Sequence, residues 1–139
     1  MALERTFAAI KPDAVTHGLA GEILSRIHKA GFTIVAIKTM RLTKSEAEGF
    51  YAVHKARPFF NDLTNFMSSG KIFAMVLEAD GAIPLWRDTM GATDPAEAAP
   101  GTIRGDLGTS VQNNCTHGSD APETAAFEIG YFFAAYELL

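Results

Sequence analysis

The stretch that decides the fold runs from Arg5 to Leu42, RTFAAIKPDAVTHGLAGEILSRIHKAGFTIVAIKTMRL. Arg5 to Lys11 is a short apolar run ended by Pro12, whose ring cannot extend a sheet ladder, and it reads as a buried strand. After Gly18, the residues Leu19, Ile23, Leu24 and Ile27 recur at helical spacing, and Gly31 supplies the stop. FTIVAIKTMRL at 32–42 is rich in β-branched residues and reads as the next strand. Strand, helix, strand is the unit on which everything downstream must pack.

Outward from that unit, Thr43 and Glu46 form a capping-box signature for a helix reaching about His54. Arg57-Pro58 breaks it, and another helix is expected from Phe59 to Ser68, closed by Ser69-Gly70. KIFAMVLE at 71–78 reads as a third strand, and 82–90 as a helix with Pro84 tolerated in its first turn. Residues 91–116 carry Gly91, Pro95, Pro100 and Gly101 without a sustained apolar period, and read as one long loop of the kind that is commonly functional. A short element precedes the last helix. Asp120 is the expected N-cap of that helix, with Pro122 in the first turn, Phe127 and Ile129 turned to the core, and an end near Phe133. There is no internal repeat and no low-complexity linker. The order of elements implies one domain over 1–139, an antiparallel sheet covered by helices of the split βαβ kind.

Bulk properties narrow the function classes. The 139 residues, 47% hydrophobic and 20% charged, suffice for a single core. A net charge of -4 argues against broad nucleic-acid binding, yet twelve Lys and Arg leave room for a few to converge on a small anion. No apolar run approaches the roughly 20 residues of a membrane helix. Glu4, Arg5 and Lys11 interrupt the region where a secretory signal would need an apolar stretch. The lone Cys115 excludes an intramolecular disulfide and suits a reducing compartment. A cytoplasmic protein with no membrane and no specific nucleic-acid partner is the expectation.

Of the four histidines, His28 and His54 sit on expected helices among polar neighbours and His17 in a loop, so all three read as surface residues. His117 differs, lying between the long loop and an N-capped helix, where binding residues gather. A neutral imidazole has a free lone pair and is a nucleophile toward phosphorus once a partner fixes its tautomer. Glu128, about two turns into the last helix, can face back toward it, and Ser119 can bond either the carboxylate or a substrate. A zinc site is disfavoured because Cys115-x-His117 is too close for paired ligands and no second cysteine exists. A Ser-His-Asp hydrolase is disfavoured by the lack of a G-x-S-x-G elbow. No P-loop pattern occurs, so any nucleotide is bound by other means.

The segment Asn114 to Asp120, NCTHGSD, resembles the signature of the nucleoside diphosphate kinase family. ERTFAAIKPDAV at 4–15, EGFYAVHKARPFF at 48–60, RDTMGATDPAEAAPGTIR at 87–104 and ETAAFEIGYFF at 123–133 resemble it in the same order, so the likeness spans the chain. It implies a ferredoxin-like α/β sandwich with a four-stranded antiparallel sheet. It also implies ping-pong transfer of the terminal phosphate of a nucleoside triphosphate to a nucleoside diphosphate through phosphorylated His117. Glu128 and Ser119 match the residues supporting that histidine, and Lys11, Arg87, Thr93 and Arg104 the groups holding the phosphates. Tyr51 and Asn114 match residues lining the site, and Phe59 the aromatic against which the base stacks. The resemblance further implies Mg²⁺ arriving with the nucleotide phosphates rather than on a protein cage, and a homo-oligomer. Departures fall at Lys71, at 80–84 and at 105–108, away from the matched positions, and bear on loop packing and subunit contacts. The rival readings are a phosphohistidine phosphatase or phosphocarrier, which would need no base-stacking Phe59, and a non-catalytic nucleotide-binding module.

Overall fold

A computed structural model describes residues 2–139. Four strands form one sheet in the order β2-β3-β1-β4: β1 is Leu3–Ile10, β2 Thr33–Arg41, β3 Lys71–Asp80 and β4 Thr116–Gly118. Strand β1 pairs antiparallel with β3, Phe7 facing Val76, and with β4, Ala9 facing His117. Strand β2 pairs antiparallel with β3, with a bulge between Ile34 and Ala36. Strands β1 and β2 therefore run parallel with β3 inserted between them, the split βαβ arrangement of a ferredoxin-like sheet.

The two central strands β1 and β3 carry unbroken apolar runs, FAAI and IFAMVL, because both faces are covered there. Alternation sends Ala8 and Ile10 of β1 to one face, where Ile23 and Ile27 of α2 (Ala20–Lys29) and Trp86 and Met90 of α5 (Ala82–Met90) pack. Phe7 and Ala9 point to the other, against Phe50 of α3 (Lys44–Phe50), Met67 of α4 (Phe60–Met67) and Phe133. The capping box opens α3 as expected: Thr43 Oγ1 accepts from the Glu46 amide at 3.1 Å, and Glu46 returns the bond at 2.8 Å.

Several boundaries differ from expectation. Lys11 lies past the strand, as the N-cap of a one-turn helix, α1 (Pro12–Thr16), because proline at the first helical position favours a helix start as much as a strand end. The α3 helix stops at Phe50, and Ala52–His54 continue as a single 3₁₀ turn. Residues 91–116 are not one loop. Pro95–Glu97 form a 3₁₀ turn capped by Asp94, and Ile103–Leu107 form a helix, α6, capped by Thr102 Oγ1 accepting from the Gly105 amide at 3.1 Å.

Two expectations for the last helix, α7 (Pro122–Phe132), are overturned. Asp120 is not its cap, since Arg87 holds that carboxylate at 2.7 Å. Ala121 takes the capping position, and Thr124 Oγ1 accepts its amide proton at 3.0 Å. Phe127 faces outward, 53% exposed, whereas Ile129 packs against the core.

Candidate active site

Strand register places His117. It sits on the short edge strand β4, opposite Ala9, and its carbonyl accepts from Trp86 Nε1 at 3.2 Å. That approach needs Gly118: a Cβ there would lie 2.5 Å from Trp86 Cδ1. Helix α7 then returns Glu128 to the ring, Nε2 to Oε1 at 2.9 Å. The same oxygen accepts from Ser119 Oγ at 2.9 Å, and Ser119 Oγ accepts from the Phe7 amide at 3.3 Å. In the tautomer where Nε2–H donates to the carboxylate, the lone pair is on Nδ1. Phe7, Phe50 and Tyr51 surround the ring at centroid distances of 6.0, 5.4 and 5.8 Å, fixing its plane. Burial, and then Glu128, push the Tyr51 phenol up, so it stays protonated.

Beside this group lie three cations in different states. Lys11 is buried, and its Nζ donates to the Gln112 carbonyl and to Asn114 Oδ1, each at 2.8 Å. Burial lowers it to about 8, with Arg104 adding to the fall and Asp13 and Cys115 opposing it. Arg104 is also buried; Nη1 donates to the Gly91 carbonyl at 3.1 Å and Nη2 to the Thr116 carbonyl at 2.8 Å. Burial first, then Arg87, bring it down to about 10, and its Nε is buried without a partner among the described residues. Arg87 is exposed, held among the described residues by Asp120 alone. Arg104 acts on Lys11 and Arg87 acts on Arg104, so the three charges share one space whose energy falls when an anion enters.

Lys11 links this end to a cleft of about 520 Å³ lined by Lys11, Phe59, Leu63, Thr93, Val111 and Gln112. Phe59 and Val111 are 47% and 56% exposed, apolar side chains turned to solvent across an open slot. Asn114 is buried between the two ends, its Nδ2 donating to the Thr93 carbonyl at 3.0 Å while Oδ1 holds Lys11. The structure thus brings His117, Glu128 and Ser119 into one hydrogen-bonded group, and Lys11, Asn114, Thr93 and Phe59 along one cleft. Phe59 does not reach His117; Tyr51 and His54 lie between, the rings stepping at 5.8, 6.4 and 5.6 Å.

Leu63, Val111 and Gln112 were not among the residues singled out from sequence. Val111 carried one signal, a β-branched apolar residue alone in the polar run TSVQNN. His54, read as a surface residue, is half buried between Tyr51 and Phe59 at the cleft rim. Among the described residues no group of three or more His, Cys, Asp or Glu side chains is placed to hold a metal ion.

The family model described as nucleoside diphosphate kinase matches residues 4–138. The chain is 60% identical over 137 residues to a nucleoside diphosphate kinase of Syntrophotalea carbinolica, covering 99% of this chain and 100% of that one. The same identity and coverage relate it to the nucleoside diphosphate kinase of Geotalea daltonii. Among solved structures, the Aquifex aeolicus nucleoside diphosphate kinase superposes with a TM-score of 0.97 at 45% identity, covering 99% of this chain and 100% of the other. A Halobacterium salinarum nucleoside diphosphate kinase in complex with CDP gives a TM-score of 0.94 at 44% identity, over 99% and 92% of the two chains.

Proposed function

This chain belongs to the nucleoside diphosphate kinase family, and from that premise we propose that its transfer of phosphate between nucleotides passes through Nδ1 of His117. It is a phosphotransferase that acts on nucleotides, and the observation that carries the His117 assignment is the Glu128 bond to Nε2 at 2.9 Å. That bond leaves the lone pair on the opposite nitrogen. Attack forms an N–P bond as the bond from phosphorus to the bridging oxygen of the leaving diphosphate breaks, and the diphosphate departs with the electron pair. No proton need leave the ring. The resulting imidazolium keeps Nε2–H, and the Glu128 carboxylate offsets its charge while Ser119 holds that carboxylate in place. An acceptor diphosphate reverses the step at the same site.

Lys11, Arg87 and Arg104 would hold the phosphate oxygens, Tyr51 and Asn114 would line the site, with Thr93, and Phe59 would stack on the base. The donor set fits Mg²⁺ carried in by the nucleotide: cations predominate, and the carboxylates beside them are already engaged, Asp120 by Arg87 and Asp13 by the Cys115 amide. When bound, Mg²⁺ would neutralise charge on the outer phosphates and would take most of its ligands from them and from water. Residues 1–139 are read as one catalytic domain, a reading supported by the family model's match over 4–138. A homo-oligomer is proposed with the edge of the sheet at β2 as a surface open to a second copy. A cytoplasmic location is supported by the lone buried cysteine; no helix among the described residues is long and apolar enough to cross a membrane.

Incubation with terminally labelled ATP, followed by acid, tests the assignment. The protein-bound label should be lost in acid and survive in base, as a phosphohistidine does. Label that survives acid would place the phosphate on Ser119 or another hydroxyl and overturn the mechanism.

A further inference from the structure

Two residues before His117 the backbone does something costly. Cys115 has φ +75, the left-handed region, which favours glycine and seldom admits a side chain. The Thr116 amide donates to the Asn114 carbonyl at 2.9 Å, closing a three-residue γ-turn about Cys115 in its rarer, strained form. Strain of this kind persists only where surrounding contacts over-determine it. Here Cys115 is clamped from both sides by one segment: its carbonyl accepts from the Lys11 amide at 2.8 Å, and its own amide donates to Asp13 Oδ2 at 3.1 Å. The turn carries Asn114, which holds Lys11 Nζ, and Thr116, whose carbonyl holds Arg104; His117 follows directly.

A second feature sets Asp13 apart from an ordinary structural cap. Its Oδ1 is buried with no hydrogen-bond partner among the described residues. A neutral acceptor would make the Cys115 bond at less desolvation cost than a carboxylate with one bare oxygen. Asp13 and Lys11 grip the same turn at adjacent residues, Asp13 Oδ2 on the Cys115 amide and Lys11 Nζ on Asn114 Oδ1, which sets the carboxylate beside the buried ammonium, where it favours the charged form.

We propose that Asp13 is a positioning residue of the transfer reaction: its Oδ2 holds the Cys115 turn that presents Asn114, Thr116 and His117, and its charge keeps the buried Lys11 cationic. The inference rests on Lys11 being a phosphate-binding group. Around Lys11 the charged and titratable groups are Asp13 from α1, Arg104 from α6 and Cys115 ahead of β4; Gln112, Asn114 and the Phe66 ring of α4 complete its surroundings. Arg104 opposes a charge on Lys11, and the Cys115 thiol, pushed up to about 11 chiefly by burial, is neutral, so Asp13 carries the support.

The test compares kcat/KM against pH for the parent, Asp13→Asn and Asp13→Ala, because kcat/KM reports ionisations of the free enzyme. The parent should lose activity as pH rises through about 8, where Lys11 gives up its proton. Asp13→Asn keeps an oxygen for the Cys115 amide but removes the charge, so that limb should move to lower pH while kcat at low pH stays near the parent. Asp13→Ala loses the bond as well and should also lower kcat at every pH by about tenfold or more, the size expected for a lost charge-assisted bond. A purely structural Asp13 would lower activity without moving the limb, and an unmoved limb in Asp13→Asn overturns the proposal. Should Asp13→Asn fail to fold, Asp13→Glu keeps the charge, and a limb displaced downward in it would equally overturn the idea. A parent with no alkaline limb, or with none lost in Lys11→Arg, would instead refute the role of Lys11.

Discussion

At the His117 end the polar groups are held before any ligand arrives: Glu128 accepts from both the imidazole and Ser119, Ser119 accepts from the Phe7 amide, and Arg104 is tied to two backbone carbonyls. At the Phe59 end the slot is walled by Phe59, Leu63 and Val111, the first and last about half exposed, with Lys11, Thr93 and Gln112 as its polar lining. The contrast matches what each end would have to do in the proposed reaction. Phosphorus chemistry is the same for every nucleotide, and a misplacement near 1 Å can cost about a hundredfold in rate, so that end is fixed by a sheet and a bonded helix. The base differs between substrates, and a flat apolar slot accepts any π-face.

The largest expected effect tests the fixed end. On the proposed mechanism, His117→Ala should remove transfer, by about a thousandfold or more, because the covalent intermediate would form on the ring this variant lacks. Nucleotide affinity should stay within about threefold, since the contacts proposed for phosphate and base lie elsewhere. Turnover within about tenfold of the parent would break the contrast at its root. Glu128→Gln should fall between the two, because the amide oxygen can still accept from Nε2 while the countercharge is gone.

The two arginines sharpen the comparison at an intermediate scale. Arg104 is a fork already occupied on both prongs, and Lys has no second prong to hold Gly91 and Thr116 together. Arg104→Lys should slow phosphorylation of His117 by about tenfold to a hundredfold, more than Arg87→Lys, whose guanidinium is exposed and bonded once. Single-turnover formation of phosphohistidine at saturating nucleotide measures this. If Arg104→Lys weakened binding yet left that rate unchanged, Arg104 would be a binding residue only.

The same division governed what was legible in the sequence. Three of the four strands and the longer helices were, because FAAI, FTIVAIKTMRL and KIFAMVLE are long enough for periodicity to show and because Thr43 with Glu46 states its own cap; the three-residue β4 was legible only as a short element. The segment 91–116 was not, since the five-residue α6 and the 3₁₀ turn at 95–97 are shorter than any apolar period. Their caps, Asp94 and Thr102, were present but look like ordinary loop residues. Asp120 was misread for an electrostatic reason: a carboxylate in a capping position serves the nearest cation when that cation is a guanidinium, and Arg87 is 33 residues away in sequence. The one signal of Val111, a lone apolar residue in a polar loop, forms no pattern until Phe59 and Leu63 are set around the same slot. Resemblance supplied the roles of Arg87, Arg104 and Phe59, which spacing alone does not single out.

The smallest expected differences are those among bases. If stacking in the slot is the main contact, ATP, GTP, CTP and UTP should serve as donors with kcat/KM values within about an order of magnitude of one another. Phe59→Ala should then weaken all four by a similar factor. Losses for base stacking run about 1–3 kcal/mol, and the low end applies here because Phe59 is 47% exposed and keeps part of its contact with water. A spread near a thousandfold would instead require hydrogen bonds to base edges, since a site built on such bonds rejects substrates lacking them by factors of about 10⁴. Gln112 is then the group to examine, being polar, exposed and set in the lining of the slot. Gln112→Ala should leave the four donors in their parent order and nearly equal. If it erased a strong preference, the base end would be as specific as the phosphate end is fixed, and the division between the two would fail.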